Sequence, residues 1–132
     1  MEVRPFGKTG LMVPRLGFGM RIPCMTDGNV FDHVDFEKAI PHLRAAQKRG
    51  IRFFDTMESY YHGEGEIALG RAMKEGSRSG YIIQSKVASD PHHASEEEYR
   101  KRLHAQLDRL DCDYLDIELM HNLHWSFFEK HG

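Results

Sequence analysis

At 132 residues, 40% apolar and 29% charged, the chain is long enough for one domain with one ordinary core and has the balance of a globular protein in water. Its net charge of -2, with acids and bases interspersed, excludes the basic footprint of a nucleic-acid binder. No apolar run nears the roughly 18 residues that span a bilayer, the polar start MEVRPFGKTG has no signal-peptide core, and Cys24 and Cys112 form no CxxC; the expected setting is the cytoplasm, away from membranes.

Two short extended runs, Glu2–Phe6 and Leu11–Val13, flank Gly7-Lys8-Thr9-Gly10 and read as a β-hairpin, after which Pro14 breaks the pattern. Arg15–Gly19 is a short strand ending in glycine, and residues 22–34 are turn-rich and read as a long loop. Asp35–Arg49 has Phe36, Ile40, Leu43 and Ala46 at a helical period and Gly50 as its stop. Pro41 either kinks that helix or marks its true first turn. Ile51–Phe54 is a buried strand leading into Asp55, and Glu64–Lys74 is the second helix. Tyr81–Val87 is the next strand. Ser95 and Glu98 form a capping box before a helix through Tyr99, Leu103, Leu107 and Leu110. Tyr114–Met120 is the fourth strand, and Trp125–Lys130 begins a last helix.

Strand and helix alternate four times, which argues for a parallel sheet with right-handed crossovers. Two architectures fit: a small doubly wound sheet, or part of a (β/α)8 barrel, which typically needs about 250 residues. In both, the carboxyl ends of the strands face one surface. Asp55 follows the second strand, Lys86 closes the third, His121 follows the fourth, and Tyr60 lies five residues beyond Asp55. Together they suit acid catalysis. An ammonium at Lys86 favours the phenolate left when Tyr60 gives up its proton, Asp55 holds that ammonium, and His121 can donate to a substrate oxygen. Any one of them alone is more often structural, since a strand-end Asp caps loops and a strand-end Lys reaches solvent. The four together are the signal.

The stretch FFDTMESYYHGEGEIALGRAM resembles the aldo-keto reductase signature, an Asp-Thr pair followed by a Tyr and a Gly-Glu…Leu-Gly run. FGKTGLMVPRLGFGMR is similar to that family's N-terminal hairpin and first barrel strand, QSKV to its catalytic-lysine strand, and LDRLDCDYLDIELMH to its helix into the histidine strand. The opening and the HGEGE segment are closest to a bacterial branch whose longer members carry a C-terminal iron–sulfur extension. The resemblance implies an α/β fold, the N-terminal half of a (β/α)8 TIM barrel, occupying residues 1–132. It implies an NADPH-dependent oxidoreductase that reduces an aldehyde or ketone. Tyr60 is then the proton donor, Lys86 and Asp55 tune it, and His121 orients the carbonyl. Gly19, Met20 and Arg21 lie near the nicotinamide, and Asp55 near its ribose. Met57 departs from the small residue common after Asp-Thr, Tyr61 rivals Tyr60, and His124 rivals His121.

His92 and His93 beside Asp90 lack fixed ligand geometry, so no metal is expected. Gly63 and Gly65 lack the full strand–GxGxxG–helix context of a phosphate loop. A half barrel has two open parallel edges, which invite a partner. The expected partners are a second copy, related by an axis along the barrel, or a complementary C-terminal half. The alternative to a truncated enzyme is a non-catalytic half-barrel binding or assembly module, and a third reading is a small doubly wound nucleotide-binding protein.

Overall fold

The computed structural model describes residues 1–21, 33–88, 95–123, 125 and 129. Strands β1 (Val3–Pro5) and β2 (Met12–Pro14) form the antiparallel hairpin, with Pro14 paired to Val3. The main sheet is fully parallel and runs in the order β3 (Gly17–Gly19), β4 (Phe53–Asp55), β5 (Ile82–Ala88), β6 (Ile117–His121). Strand order follows chain order with no reversal. A doubly wound sheet reverses its order at a switch point, so the topology is that of a barrel segment. The predicted strands all form, with β4 shifted toward Asp55 and β5 running two residues past Lys86. His124, Asp90, His92, His93 and Cys24 lie outside the described residues, as does most of the loop expected at 22–34.

Helices α1 (Phe36–Lys48), α2 (Glu64–Met73) and α3 (Glu96–Leu110) pack in sequence order, α1 on α2 and α2 on α3. Asp35 caps α1, its carboxylate accepting from the Lys38 amide at 3.2 Å. Ser95 caps α3 in the same way, accepting from the Glu98 amide at 3.1 Å. Pro41 lies inside α1, so it does not mark the first turn. It removes one backbone donor without ending the helix. Residues 125 and 129 are helical, and the Trp125 indole N–H donates to the Glu129 carboxylate at 2.9 Å.

Alternation along the strands divides the sheet into two faces. One face carries Met20, Phe54 and Ile83, all fully buried, against Leu43, Leu69 and Leu110 of the helices. Gly70 permits the closest helix contact: a Cβ there would lie 2.6 Å from the Leu110 carbonyl oxygen and 2.8 Å from its carbon. At the amino end of the sheet, Asp116 accepts from the Ile83 amide at 2.8 Å and from Arg78 at 2.7 Å. Arg78 also stacks on Tyr114, 4.0 Å from the ring centroid.

A polar cluster lies between the sheet and α2 and α3. Glu66 and Gln106 are fully buried. Ser85 donates to Glu66 at 2.6 Å and Arg109 donates to its other oxygen at 2.7 Å. Glu118 stands beside Ser85 in the parallel register, and both of its carboxylate oxygens are buried with no hydrogen bond of normal geometry among the described residues. Burial, with Glu66 and Glu58 nearby, pushes the Glu118 carboxyl up to about 7, against smaller opposing effects of the Gln106 amide and the Val87 N–H.

Replacing Gly70 by Ala forces α2 and α3 apart and is expected to cost about 1–3 kcal/mol; urea unfolding of the variant measures it, and an unchanged midpoint would refute the close contact. The raised Glu118 carboxyl fixes the sign of a pH effect. The folded chain keeps a proton that the unfolded chain releases near 4.5, so wild-type stability falls as pH rises from there through about 7. In paired urea titrations, E118Q should gain on wild type across that interval and level off above it; a constant difference would show that Glu118 does not titrate there.

Candidate active site

Pairing places the sequence-predicted groups on the opposite face of the sheet from the core. Gly19 pairs with Asp55, Asp55 with Gln84, Lys86 with Leu119, and Ala88 with His121. The steps from Gln84 to Lys86 and from Leu119 to His121 are even, so Asp55, Lys86 and His121 share one face and rise as a staircase toward the carboxyl edge.

Lys86 is the centre of that face. Its ammonium donates to Asp55 Oδ1 at 2.7 Å and to the Thr56 carbonyl at 2.8 Å. The Lys86 side chain is 11% exposed and that of Asp55 31%, so the pair is largely withdrawn from water. Gln84 donates to the same Asp55 oxygen at 2.5 Å. Sequence reading missed Gln84, although its place two residues before Lys86 puts it on the same face. The ammonium is 5.4 Å from the centroid of the Tyr60 ring, and the Arg21 guanidinium is 5.9 Å from it. Two cations therefore act on one phenol ring.

The backbone after Ser59 selects which tyrosine faces outward. Tyr61 (φ 53, ψ 43) and His62 (φ 57, ψ 31) are both left-handed, and Gly63 follows at φ 90. Non-glycine residues pay roughly 1–3 kcal/mol each for such conformations, which cluster at functional sites. The turn buries Tyr61, which is 2% exposed and packed in the core, and leaves Tyr60 half-buried on the side of Lys86. At Gly63 an added Cβ would lie 2.8 Å from Arg109 Cδ, so α3 presses the turn from behind. Glu58 holds the other flank. It accepts from the Ala88 amide at 2.9 Å and pairs with Arg102, which also donates to the Ala88 carbonyl at 3.1 Å.

An open cleft of about 330 Å³ lies above these groups, lined by Arg21, Met57, Tyr60, His62, His121 and Asn122, with the mostly buried Tyr61 also at its wall. His121 Nδ1 is buried without a partner among the described residues. A Cβ added to Gly19 would meet nothing within 4 Å, so the sheet floor at the end of β3 is open. Met20 points away: its side chain is fully buried in the core, and only its backbone, whose N–H donates to the Asp55 carbonyl at 2.8 Å, belongs to this edge. The structure thus brings Tyr60, Lys86, Asp55, His121, Arg21 and Gly19 to one end of the sheet and leaves the Met20 side chain outside the cleft. Among the described residues no group of three His, Cys, Asp or Glu side chains forms a metal site, and no helix is long and apolar enough to cross a membrane.

The chain as a whole is similar to known proteins in sequence and in fold. L-galactose dehydrogenase of Arabidopsis thaliana is 34% identical over 134 residues, covering 98% of this chain and 41% of that protein. The thermostable aldo-keto reductase Tm1743, solved with the inhibitor epalrestat, superposes with a TM-score of 0.81 at 32% identity over 96% of this chain and 44% of its own. An aldo-keto reductase from Klebsiella pneumoniae, solved with NADPH, gives a TM-score of 0.68 at 30% identity over 83% of this chain and 36% of its own. The chain spans about two-fifths of the length of the curated relatives it matches. The model of the aldo/keto reductase family matches residues 15–129, nearly the whole chain, and the chain belongs to that family.

Proposed function

We propose that this chain carries the proton-transfer half of an NADPH-dependent carbonyl reductase, with Tyr60 as the proton donor. The observation that supports it most is the Lys86 ammonium, fixed by Asp55 and Thr56 and set 5.4 Å from the Tyr60 ring centroid at the edge of an open cleft.

The residues present fit the nicotinamide end of the cofactor. Gly19 leaves its floor open, Arg21 and Asp55 flank that floor, and His121 carries an unused buried nitrogen. A cleft of about 330 Å³ is at the low end of the roughly 300–1,000 Å³ of small-molecule sites. It has room for a nicotinamide ring and a small aldehyde or ketone, with the rest of the dinucleotide held elsewhere. When bound, NADPH supplies a hydride to the carbonyl carbon. Tyr60 gives its phenolic proton to the carbonyl oxygen, and the product is an alcohol. The phenolate left behind is stabilised by the Lys86 and Arg21 charges and regains a proton from solvent. Asp55 keeps Lys86 in place, Gln84 keeps Asp55 in place, and His121 orients the carbonyl oxygen.

A second reading, a non-catalytic half-barrel binding or assembly module, has its own support. Among the described residues β3 and β6 each pair on one side only, and Leu119 and Met120 of β6 are 40% and 44% exposed. Such an edge suits a second copy of this chain or a complementary C-terminal half that adds parallel strands.

Fluorescence titration with NADPH across a range of protein concentrations separates the two. The reductase reading expects saturable binding that tightens as chains associate. Tyr60→Phe should then lower kcat by about 10²–10⁴-fold while NADPH affinity is kept. Absence of binding at every concentration overturns the reductase reading for the chain alone and favours the module. An active Y60F variant removes Tyr60 from the chemistry.

A further inference from the structure

Strand β4 stops at Asp55, opposite Gln84, while β5 runs on to Ala88. Beyond Gln84 the edge of β5 that faces β4 therefore has backbone groups still to satisfy. A loop and a helix take them in place of a strand. The Glu58 amide donates to the Lys86 carbonyl at 3.3 Å, and the Glu58 carboxylate accepts from the Ala88 amide at 2.9 Å. Arg102 of α3 donates to the Ala88 carbonyl at 3.1 Å and closes on both oxygens of Glu58, its Nε reaching Oε2 at 3.1 Å and its Nη2 reaching Oε1. The pair is largely out of water, with the Glu58 side chain 13% exposed and that of Arg102 20%. One turn further along α3, Gln106 donates to the same Lys86 carbonyl at 2.9 Å. A carboxylate gripped by a guanidinium fork is fixed in direction as well as in charge. Glu58 thus ties the loop carrying Tyr60 to the strand carrying Lys86 through both its backbone and its side chain.

We propose that Glu58, locked by Arg102, is a positioning residue for the proton donor, setting Tyr60 against Lys86 and fixing its distance from His121. The link to Tyr60 is short. The Tyr60 amide donates to the Met57 carbonyl at 3.1 Å, so residues 57–60 form one tight turn with Glu58 inside it. Tyr61 is buried in the core at the far end of that turn. Tyr60 is therefore held between two anchors, one ionic and one apolar. The link to His121 runs through the sheet, because Ala88, gripped on its N–H by Glu58 and on its carbonyl by Arg102, is the register partner of His121. Tyr60 and His121 both line the cleft, so one carboxylate governs the gap that a carbonyl oxygen has to fit. A displacement of about 1 Å at a reacting group costs on the order of 10²-fold in rate, which is the scale on which such an anchor acts.

The inference rests on the reading of Tyr60 as proton donor, but its first test needs neither cofactor nor turnover, so the two fail separately. The full chain, isotopically labelled, is followed by NMR at the Overhauser contact between the Tyr60 ring and the Lys86 Cε protons. The contact between the Phe54 and Tyr81 rings, whose centroids are 5.3 Å apart in the core, reports that the fold is kept. Glu58→Leu should lose the Tyr60–Lys86 contact and keep the core contact. Glu58→Gln, whose carboxamide oxygen can still accept from Ala88 but which has no charge to hold Arg102, should weaken it. A variant that unfolds at lower urea yet keeps the Tyr60–Lys86 contact at full strength shows a merely structural role and overturns the proposal. If E58L does not fold, E58Q decides alone, and an undiminished contact there overturns it. In turnover of an aldehyde with NADPH, E58L should lower kcat on the order of 10²-fold with the KM for NADPH little changed; a loss confined to KM also overturns it.

Discussion

A lysine withdrawn from water must keep its charge partnered, and much of this structure follows from meeting that demand at Lys86. An unpartnered buried ammonium costs several kcal/mol, and breaking such a pair costs about 3–5 kcal/mol. Here the charge is met by one carboxylate oxygen of Asp55 and one backbone carbonyl, that of Thr56. Both partners come from the end of β4, so the strand must run parallel to β5 and in a register that sets Asp55 against Gln84. Gln84 then closes the arrangement by donating to the same Asp55 oxygen. Register and chemistry are one constraint, because a slip of one residue would turn Lys86 toward the helices.

The turn from Ser59 to Gly63 converts that fixed charge into a site. It stores left-handed backbone at Tyr61 and His62, sends Tyr61 into the core and leaves Tyr60 facing the cleft. The strain persists because the surroundings over-determine it: Tyr61 is anchored by burial, and Arg109 of α3 fills the space behind Gly63. Arg109 is itself held by Glu66, so the polar cluster beneath the helices also supports the turn at the end of the sheet.

The sheet therefore works as a partition. Its helix side combines an apolar core with a buried polar cluster built from Glu66, Ser85, Gln106 and Glu118, and its other side presents charged groups to an open cleft. Buried polar groups are costly unless each is satisfied, and they fix a unique arrangement when they are. The unsatisfied members, Gln106 Oε1 and the Glu118 carboxyl, lie directly behind the strand that carries Lys86.

The sequence by itself determined the element order, the capped helices, and the identity of the strand-end residues. Those are local properties: apolar periodicity, Ser95 as a cap, glycines at turns. The motif DTMESYYHGEGE likewise made the family legible, and both the family match and the fold bear that out. The family resemblance already implied a barrel segment over a doubly wound sheet, which element alternation alone left open; the strand order, a long-range property, is what displays it. Spacing and the motif pointed to Tyr60 over Tyr61; the left-handed turn supplies the physical reason, since it buries Tyr61 in the core and leaves the Tyr60 ring beside Lys86 and Arg21. The roles of Gln84, Gln106 and Glu118 also came only from the tertiary structure. A Gln or Glu in a strand or helix carries no mark of what it will face until strands are paired and helices packed, and the energies of the bonds from Gln84 to Asp55 and from Gln106 to the Lys86 carbonyl arise only when water has been excluded from between them.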